Sequence, residues 1–342
     1  FTGTTVCNGQ STVFTDQTTG APINWSWDFG DATALGTIQN PTHIYALAGT
    51  YNVTLIASGG SGCADTITNS IIVNPVPIAS FTFASVCTND TMFFNSTSLG
   101  TPDTFAWDFG DGFSDNTNNP SPTHVYSSAG TYNVTLTAGY GVTGCTNSVT
   151  VPVISYPLTV PDFTVTTTCL NVATSFTDVT TNSPTQWSWN FGDGSSFGTT
   201  QNPTHTYAAP GTYNVVLVTQ NTFGCKDSIA LNAIVNTLPV AAFAFDTVCA
   251  NAATSFTDQS TAAVTWAWDF GDATTSTGNS PTHTYASSGT YTVTLIVTNT
   301  FGCTDTVSHS IIVNPNPVSL YSATTACHTY ATLFTDQSTA AI

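Results

Sequence analysis

The sequence contains no glutamate and no arginine, and Lys226 is its only lysine. Because Glu, Lys and Arg are strong helix formers, their near absence argues against α-helices. The abundant Thr, Val, Ser, Asn and Gly favour strands and turns instead. With one cation and a formal net charge of −18, the chain lacks the Lys and Arg contacts that drive binding to nucleic acids and to anionic membrane surfaces.

Long apolar runs are also missing. No stretch of about 18 apolar residues occurs, so we predict no membrane insertion in this segment. Neither an initiating Met nor a signal-peptide pattern is present, and we interpret the sequence as part of a longer repeat array whose export signal and anchor lie outside it.

One aromatic motif recurs four times. It begins at Trp25, Phe105, Trp187 and Trp266, at intervals of 80, 82 and 79 residues. Such a period indicates a tandem array of domains. We place repeat 1 at residues 1–76, repeat 2 at 77–158, repeat 3 at 159–238 and repeat 4 at 239–316, with the first strands of a truncated fifth repeat at 317–342.

Within the motif, alternate residues of a strand share one face, so Trp25, Trp27 and Phe29 are expected to point into a core. Gly30 allows a backbone bend, and the Asp31 side chain can brace the turn by accepting backbone N–H groups. The alternative is that the aromatic side chains form a stacking platform for sugar rings.

Short alternating strands separated by turn signals predict a β-sandwich in each repeat. The combination W-x-W-D-F-G-D-G, then P-T-H-x-Y, then G-T-Y-x-V-x-L resembles the PKD domain family over essentially the whole chain. Phe105 and Asn190 are small departures. The resemblance implies an all-β tandem array of Ig-like seven-stranded sandwiches with sheets A-B-E-D and C-F-G. It also implies an extracellular spacer or adhesion role.

Each complete repeat has one cysteine between strands A and B and one at the F–G turn. This regularity favours disulfides over metal binding. Pairing within a repeat is the simple alternative, but these two turns lie at opposite ends of a sandwich, roughly 25 Å apart at about 3.3 Å per strand residue. We therefore hypothesise bridges between domains: Cys7–Cys145, Cys87–Cys225 and Cys169–Cys303. Cys63, Cys249 and Cys327 would then pair outside this segment.

Paired aspartates are weak candidates for calcium ligands, and turn bracing is the preferred interpretation. These pairs are Asp28 with Asp31, Asp108 with Asp111, and Asp269 with Asp272. One histidine per repeat, in P-T-H-x-Y, is expected to make a structural hydrogen bond on strand E: His43, His124, His205 and His283. No catalytic arrangement stands out from the repeat scaffold, so we expect a non-enzyme without a cofactor.

Five short segments, each with Asp, then Ser or Thr, then an apolar residue, resemble a bacterial O-glycosylation signal. The candidate hydroxyl groups belong to Thr66, Thr91, Ser228, Thr247 and Thr306. Most of these segments are expected to lie on exposed turns. They mark the chain as a candidate glycoprotein.

These features predict a secreted or cell-surface structural protein that forms a stiff fibre or adhesin stalk. Its partners would be neighbouring repeats and copies of itself in a filament. The alternative is an array that binds a polysaccharide or protein ligand and is attached to a secreted enzyme or an adhesin tip. Phe113, Phe197 and Tyr140 are the exposed aromatic candidates for such a surface, although they are not equivalent between repeats.

Overall fold

The computed structural model describes residues 1–339. All regular elements in this range are β-strands, which confirms the all-β prediction and agrees with the scarcity of helix-forming charged residues. Over the same residues, no helix with the length and apolar character of a membrane span is found.

Repeat 1 shows the common arrangement. Its strands are β1 (Thr2–Gly3), β2 (Val6–Cys7), β3 (Ser11–Thr15), β4 (Asn24–Asp28), β5 (Thr42–Ile44), β6 (Gly49–Ser58) and β7 (Ala64–Asn74). They form two sheets, β1-β3-β5 and β2-β7-β6-β4. The long β6–β7 hairpin pairs Gly49 with Val73 at one end and Ser58 with Ala64 at the other.

The other repeats follow the same order of strands. Repeat 2 contains β8 (Phe81–Phe83), β9 (Val86–Cys87), β10 (Thr91–Ser96), β11 (Thr104–Asp108), β12 (Ser114–Asp115), β13 (Thr123–Val125), β14 (Gly130–Gly139) and β15 (Thr146–Tyr156). Repeat 3 contains β16 (Phe163–Val165), β17 (Thr168–Cys169), β18 (Thr174–Asp178), β19 (Pro184–Asn190), β20 (Thr204–His205), β21 (Gly211–Asn221) and β22 (Lys226–Asn236). Repeat 4 contains β23 (Phe243–Phe245), β24 (Ala253–Asp258), β25 (Thr265–Asp269), β26 (Thr275–Ser276), β27 (Thr282–Thr284), β28 (Gly289–Thr298) and β29 (Thr304–Val313).

The sheets differ from the expected A-B-E-D and C-F-G arrangement in two ways. Strand A is split: its first part pairs with strand B, and its second part crosses to pair in parallel with strand G, as Cys7 does with Asn74. Within residues 1–339, the segment between strands C and E pairs with strand C, whereas the A-B-E-D arrangement would place a strand D in the sheet of strands A, B and E. In repeat 1 this pairing is made by Gly36, whose small size suits its close approach to the Phe29 ring.

The core of each sandwich is aromatic. In repeat 1, Phe14, Trp27, Phe29 and Tyr45 are buried, while Trp25 is half-buried at the edge of the cluster. The Tyr45 hydroxyl donates to the Phe29 carbonyl at 3.0 Å, which satisfies the polar end of a buried ring. The motif aromatics therefore act mainly as core residues, which argues against a stacking platform built from them.

The tyrosine near the start of each strand F forms the corner that is typical of Ig-like sandwiches. In repeat 1 the Tyr51 hydroxyl donates to the Leu47 carbonyl four residues upstream, at 2.8 Å. The equivalent tyrosines make the same bond: Tyr132 to Ser128, Tyr213 to Ala209 and Tyr291 to Ser287.

Two compact units divide the chain. The first comprises residues Phe1–Thr159 together with Gln220–Lys226, and the second comprises the rest of the chain. At the end of the described range, β30 (Tyr321–Ala323) pairs antiparallel with β31 (Phe334–Asp336), and both strands are exposed. Residues 340–342 of the segment predicted as a fifth repeat lie outside the described residues.

Candidate functional site

Three disulfides link cysteines of consecutive repeats. They join Cys7 to Cys145 and Cys87 to Cys225 in the first unit, and Cys169 to Cys303 in the second. The Cα–Cα distances are 5.7, 5.6 and 5.6 Å, in the usual range for a disulfide. These are the three bridges hypothesised between domains from the sequence. The two cysteines of a single repeat do not bond to each other.

The first half of each bridge lies at the end of the split strand A, just before the A–B turn. In repeat 1, Cys7 pairs in parallel with Asn74, and the Asn8 N–H donates to the Asn74 carbonyl at 2.9 Å. The Gln10 N–H then closes the turn on the Cys7 carbonyl at 3.0 Å. Crossing to strand G thus fixes the position of the cysteine at the end of the sandwich.

The second half of each bridge is the turn between strands F and G. In repeat 3, the buried Asn221 side chain accepts the N–H groups of Phe223 and Cys225 at 3.0 and 3.1 Å. Its amide donates to the carbonyl of Pro157, in the linker, at 2.8 Å. One asparagine therefore shapes the turn around the cysteine and ties it to the linker.

Repeat 4 repeats this arrangement with Asn299, which accepts from Phe301 and Cys303 and donates to Thr237 at 2.8 Å. The sequence reasoning missed these asparagines. The recurrence of Asn-Thr-Phe-Gly-Cys at 221–225 and 299–303 was the available signal. Repeat 2 has Tyr140 in this position, and its hydroxyl donates to the Gly100 carbonyl instead.

An aromatic contact accompanies the second bridge. Tyr156, the last residue of β15, stacks on Phe223 with ring centroids 4.2 Å apart and planes 9° apart. Tyr156 is also the strand partner of Cys87, so the stacked rings flank the Cys87–Cys225 bridge. In repeat 3 the corresponding last strand residue is Asn236, which has no ring to stack on Phe301.

A second recurring cluster joins the Asp of the aromatic motif to the histidine of strand E. In repeat 1, Asp31 and His43 lie 2.7 Å apart, and the imidazole stacks on Phe29 with centroids 4.1 Å apart. The equivalent Asp–His distances are 2.7, 2.6 and 2.7 Å in repeats 2, 3 and 4. Each histidine thus makes a structural hydrogen bond, the role expected for it.

The motif aspartates hold turns. Burial raises the pKa of Asp31, but hydrogen bonds from Thr33 and His43 outweigh it and hold that pKa below its ordinary value. The Asp28 carboxylate accepts the Gly30 N–H at 2.9 Å. In repeat 3 the Asn190 side chain makes the same bond to Gly192 at 3.0 Å. A neutral amide oxygen can therefore replace the carboxylate as the acceptor of the glycine N–H at this position.

The remaining calcium candidates behave alike: Asp108 and Asp269 accept from Gly110 and Gly271, and Asp111 and Asp272 contact His124 and His283. Within residues 1–339, no three His, Cys or Asp side chains gather in a metal-binding group.

The five O-glycosylation candidates are all exposed, but four of them lie in strands rather than in the expected turns. Thr91 begins β10, whereas Thr66, Ser228 and Thr306 occupy equivalent positions in strand G, three residues after a cysteine. Only Thr247 lies outside a strand, between β23 and β24.

The three aromatic candidates for a ligand surface do not form a common face. Phe113 and Phe197 are 68% and 64% exposed, but Phe113 lies one residue after the second motif glycine and Phe197 three residues after it. Tyr140 is half-buried and engaged with Gly100. These exposed aromatic side chains therefore do not recur at one equivalent position in each repeat.

The architecture defines a class of protein: a tandem array of Ig-like β-sandwiches. Family models described as PKD domain match residues 2–73, 80–153, 157–235 and 236–313. The chain belongs to the PKD domain family, with four tandem domains.

Individual relatives match single domains. The chain is 45% identical over 58 residues to a microbial collagenase of Vibrio alginolyticus, a match that spans 17% of this chain and 7% of the collagenase. It is 35% identical to the PKD1 domain of the Vibrio cholerae metalloprotease PrtV, covering 22% of this chain and 96% of that one, with a TM-score of 0.21. For the PKD1 domain of Vibrio anguillarum Epp the identity is 33%, with coverage of 24% and 99% and a TM-score of 0.22.

Proposed function

We propose that this chain is a non-catalytic extracellular spacer, a stalk segment in which disulfides limit the movement of each sandwich relative to the next. The observation that carries the proposal is that each bridge joins a repeat to the following one, across the linker that already connects them. Two covalent connections between neighbours oppose the hinge motion that a single linker permits.

Three further properties support this function. Disulfides persist in oxidising surroundings, which favours an extracellular location. Proline-containing linkers, such as Asn74-Pro75-Val76-Pro77, are semi-rigid. The net charge of −18 favours solubility and repulsion between chains. The recurring histidines are each paired with an aspartate, which suits a structural role better than a catalytic one.

Small-angle X-ray scattering tests the stiffening directly. The oxidised chain is compared with a variant carrying Cys145→Ser, Cys225→Ser and Cys303→Ser, and with Cys63→Ser as a matched control. We expect a broader distribution of interatomic distances only for the triple variant, with an unchanged β-sheet circular dichroism spectrum. Identical scattering from the triple variant and the oxidised chain would overturn the proposal.

A second candidate is a binding array beside an enzyme. It is favoured by the similarity to domains of a collagenase and of a metalloprotease. The exposed Phe113 and Phe197 would then contact the ligand. Co-sedimentation with insoluble collagen and with insoluble polysaccharides tests this function. It is supported if the chain sediments and a variant with Phe113→Ala and Phe197→Ala does not, and it fails if both remain in solution.

A further inference from the structure

The outer face of the sheet that contains strands C and F has an open depression in repeat 2 and another in repeat 4. The first measures about 290 Å³, and its lining includes Ala106 and Asp108. The second measures about 410 Å³, and its lining includes Ala267 and Asp269. These two alanines and two aspartates occupy equivalent positions of the aromatic motif. The depression therefore recurs at one place in the fold.

A small side chain between larger ones produces the depression. Alternate residues of strand C face outward, and the outward residue in the middle of the strand is Ala106 in repeat 2 and Ala267 in repeat 4. The neighbour of this alanine on strand F is Thr137 in repeat 2 and Ile296 in repeat 4. On the opposite side, the short strands β12 and β26 pair with strand C and form a second wall.

Repeats 1 and 3 are built differently at this place. Ser26 and Ser188 occupy the position of the alanine. The segment after strand C pairs with it through one residue, Gly36 in repeat 1 and Gly198 in repeat 3, instead of through a strand. The alanine and the additional strand therefore occur together, in repeats 2 and 4.

One carboxylate borders each depression. Asp108 lies opposite Ser114 and Asp269 lies opposite Thr275, and both aspartates are exposed. One oxygen of each carboxylate accepts the N–H of the motif glycine at 2.9 Å. Within residues 1–339 the other oxygen has no hydrogen-bond partner. A negatively charged acceptor is therefore available at the rim of each depression.

An apolar floor beside a carboxylate matches a long cationic side chain. Lysine and arginine pack their methylene groups on apolar surface and keep the charged head group in water. In repeat 4, Ala267 and Ile296 provide the apolar surface and Asp269 lies beside them. In repeat 2 the lining includes Phe113, which is 68% exposed, and an aromatic ring attracts a cation.

We propose that these two depressions bind basic side chains of a different protein. This chain has one lysine and no arginine, so a second copy would offer a single basic side chain for two sites. The net charge of −18 attracts a partner of opposite charge. Each depression takes one side chain. The inference goes beyond the spacer function and does not depend on it.

The charge at the rim is tested by NMR titration of the full chain with the synthetic peptide Gly-Lys-Gly-Lys-Gly. We expect amide shifts around Ala106 and Ala267. A variant carrying Asp108→Asn and Asp269→Asn should bind the peptide about three- to fivefold more weakly at both places, the loss that one exposed ion pair per site produces. Asn190 already makes the glycine bond in repeat 3, so we expect this variant to keep its fold.

A variant carrying Asp90→Asn and Asp246→Asn is the matched control. It removes one exposed charge from each of the same two repeats, away from the depressions. We expect it to change the affinity by less than about 1.5-fold, because solvent and salt screen distant exposed charges. Equal losses from the two variants would show a general attraction between the acidic chain and the basic peptide, and would overturn the inference.

The shape of the site is tested by Ala106→Leu together with Ala267→Leu. These changes fill the depressions and keep both carboxylates. We expect binding at least about threefold weaker, because the lysine methylene groups lose their apolar contact, and an unchanged affinity would overturn the inference. Dimers that form with rising concentration and disappear with Lys226→Thr would identify a second copy as the occupant and would overturn it as well. Scattering reports separately on the spacer function, so the two proposals can fail independently.

Discussion

Asp16 accepts the indole N–H of Trp25 at 2.7 Å, a charge-assisted bond between strand C and the end of strand B. Repeats 3 and 4 make the same bond at 2.8 Å, from Trp187 to Asp178 and from Trp266 to Asp258. Repeat 2 has Asn95 and Phe105 at these two positions, so both partners differ together. The first aromatic of the motif is therefore coupled to the aspartate.

A double-mutant cycle in repeat 3 measures this coupling. We expect Trp187→Phe and Asp178→Asn to destabilise repeat 3 individually, and the double variant to lose less than the sum, with an interaction energy of about 1–3 kcal/mol because one partner is charged. Hydrogen exchange of the repeat 3 amides is the measurement. Asn95→Asp in repeat 2 is the control and should gain nothing, because Phe105 has no N–H to donate. Strict additivity in repeat 3 would contradict the coupling.

Trypsin can test the third disulfide because the chain has a single lysine. Trypsin cleaves the bond between Lys226 and Asp227, inside the loop closed by Cys169–Cys303. After the free thiols are blocked and the chain is unfolded without reduction, we expect tryptic fragments 1–226 and 227–342 to stay linked. They should separate only when the sample is reduced.

Bridges within repeats would give the opposite result in the same digest. Cys169–Cys225 would lie entirely in the first fragment and Cys249–Cys303 entirely in the second, so the fragments would separate without reduction. The Cys303→Ser variant serves as the control and should separate in this way. Mass spectrometry of the unreduced digest distinguishes the two outcomes.

The Asp193–His205 pair predicts an acid-dependent stability of repeat 3. Burial raises the pKa of Asp193, but hydrogen bonds from Ser195 and His205 outweigh it and lower the pKa from 3.8 to about 2. A carboxyl whose pKa is lower in the folded chain than in the unfolded chain stabilises the fold at any pH above the pKa of the unfolded chain. This stabilisation is lost as the pH falls through the pKa of the folded chain.

Asp193→Asn should therefore lower the melting temperature at pH 5 and have a much smaller effect near pH 2, where the wild-type carboxyl is becoming protonated. Circular dichroism melts of the chain and the variant at several pH values measure this difference. A constant difference between pH 5 and pH 2 would contradict the prediction.

A side chain at Gly192 should destabilise repeat 3 more than one at Gly194. A Cβ atom there would lie 2.5 Å from the Asn214 carbonyl oxygen, and the residue has φ +80°. Gly194 has φ +79° with open space around it. Gly194→Ala should cost about 1–2 kcal/mol from the backbone conformation alone, and Gly192→Ala about 1–3 kcal/mol more from overpacking. Urea unfolding of the two variants compares them, and equal losses would contradict the close approach.

Several features could be predicted from sequence because they depend on local periodicity. Trp27 and Phe29 alternate with polar residues, so their burial follows from the geometry of a strand. The Tyr51 corner follows from its place early in strand F. The turn role of Asp31 follows from the short reach of its carboxylate.

Other features depend on residues that are distant in sequence. Val6–Cys7 is too short to show a period, so the crossing of strand A to strand G leaves no local signal. Asn221 donates to a backbone carbonyl 64 residues away. Every residue has a backbone carbonyl, so the sequence does not mark which one is the acceptor. The Asp16–Trp25 bond could have been predicted from the sequence, because comparison of the four repeats shows that both positions differ only in repeat 2.

The three disulfides overlap along the chain, and this sets how far the molecule can be pulled. Cys7 and Cys303 are 296 residues apart, which would extend to about 1,000 Å in a fully unfolded chain without bridges. With the bridges, the shortest covalent path runs from Cys7 to Cys145, along the 24 residues to Cys169, and across to Cys303. That path extends to only about 100 Å. Even if every sandwich between these cysteines unfolded under load, the bridges would hold the extended tether to about a tenth of the length of the unbridged chain.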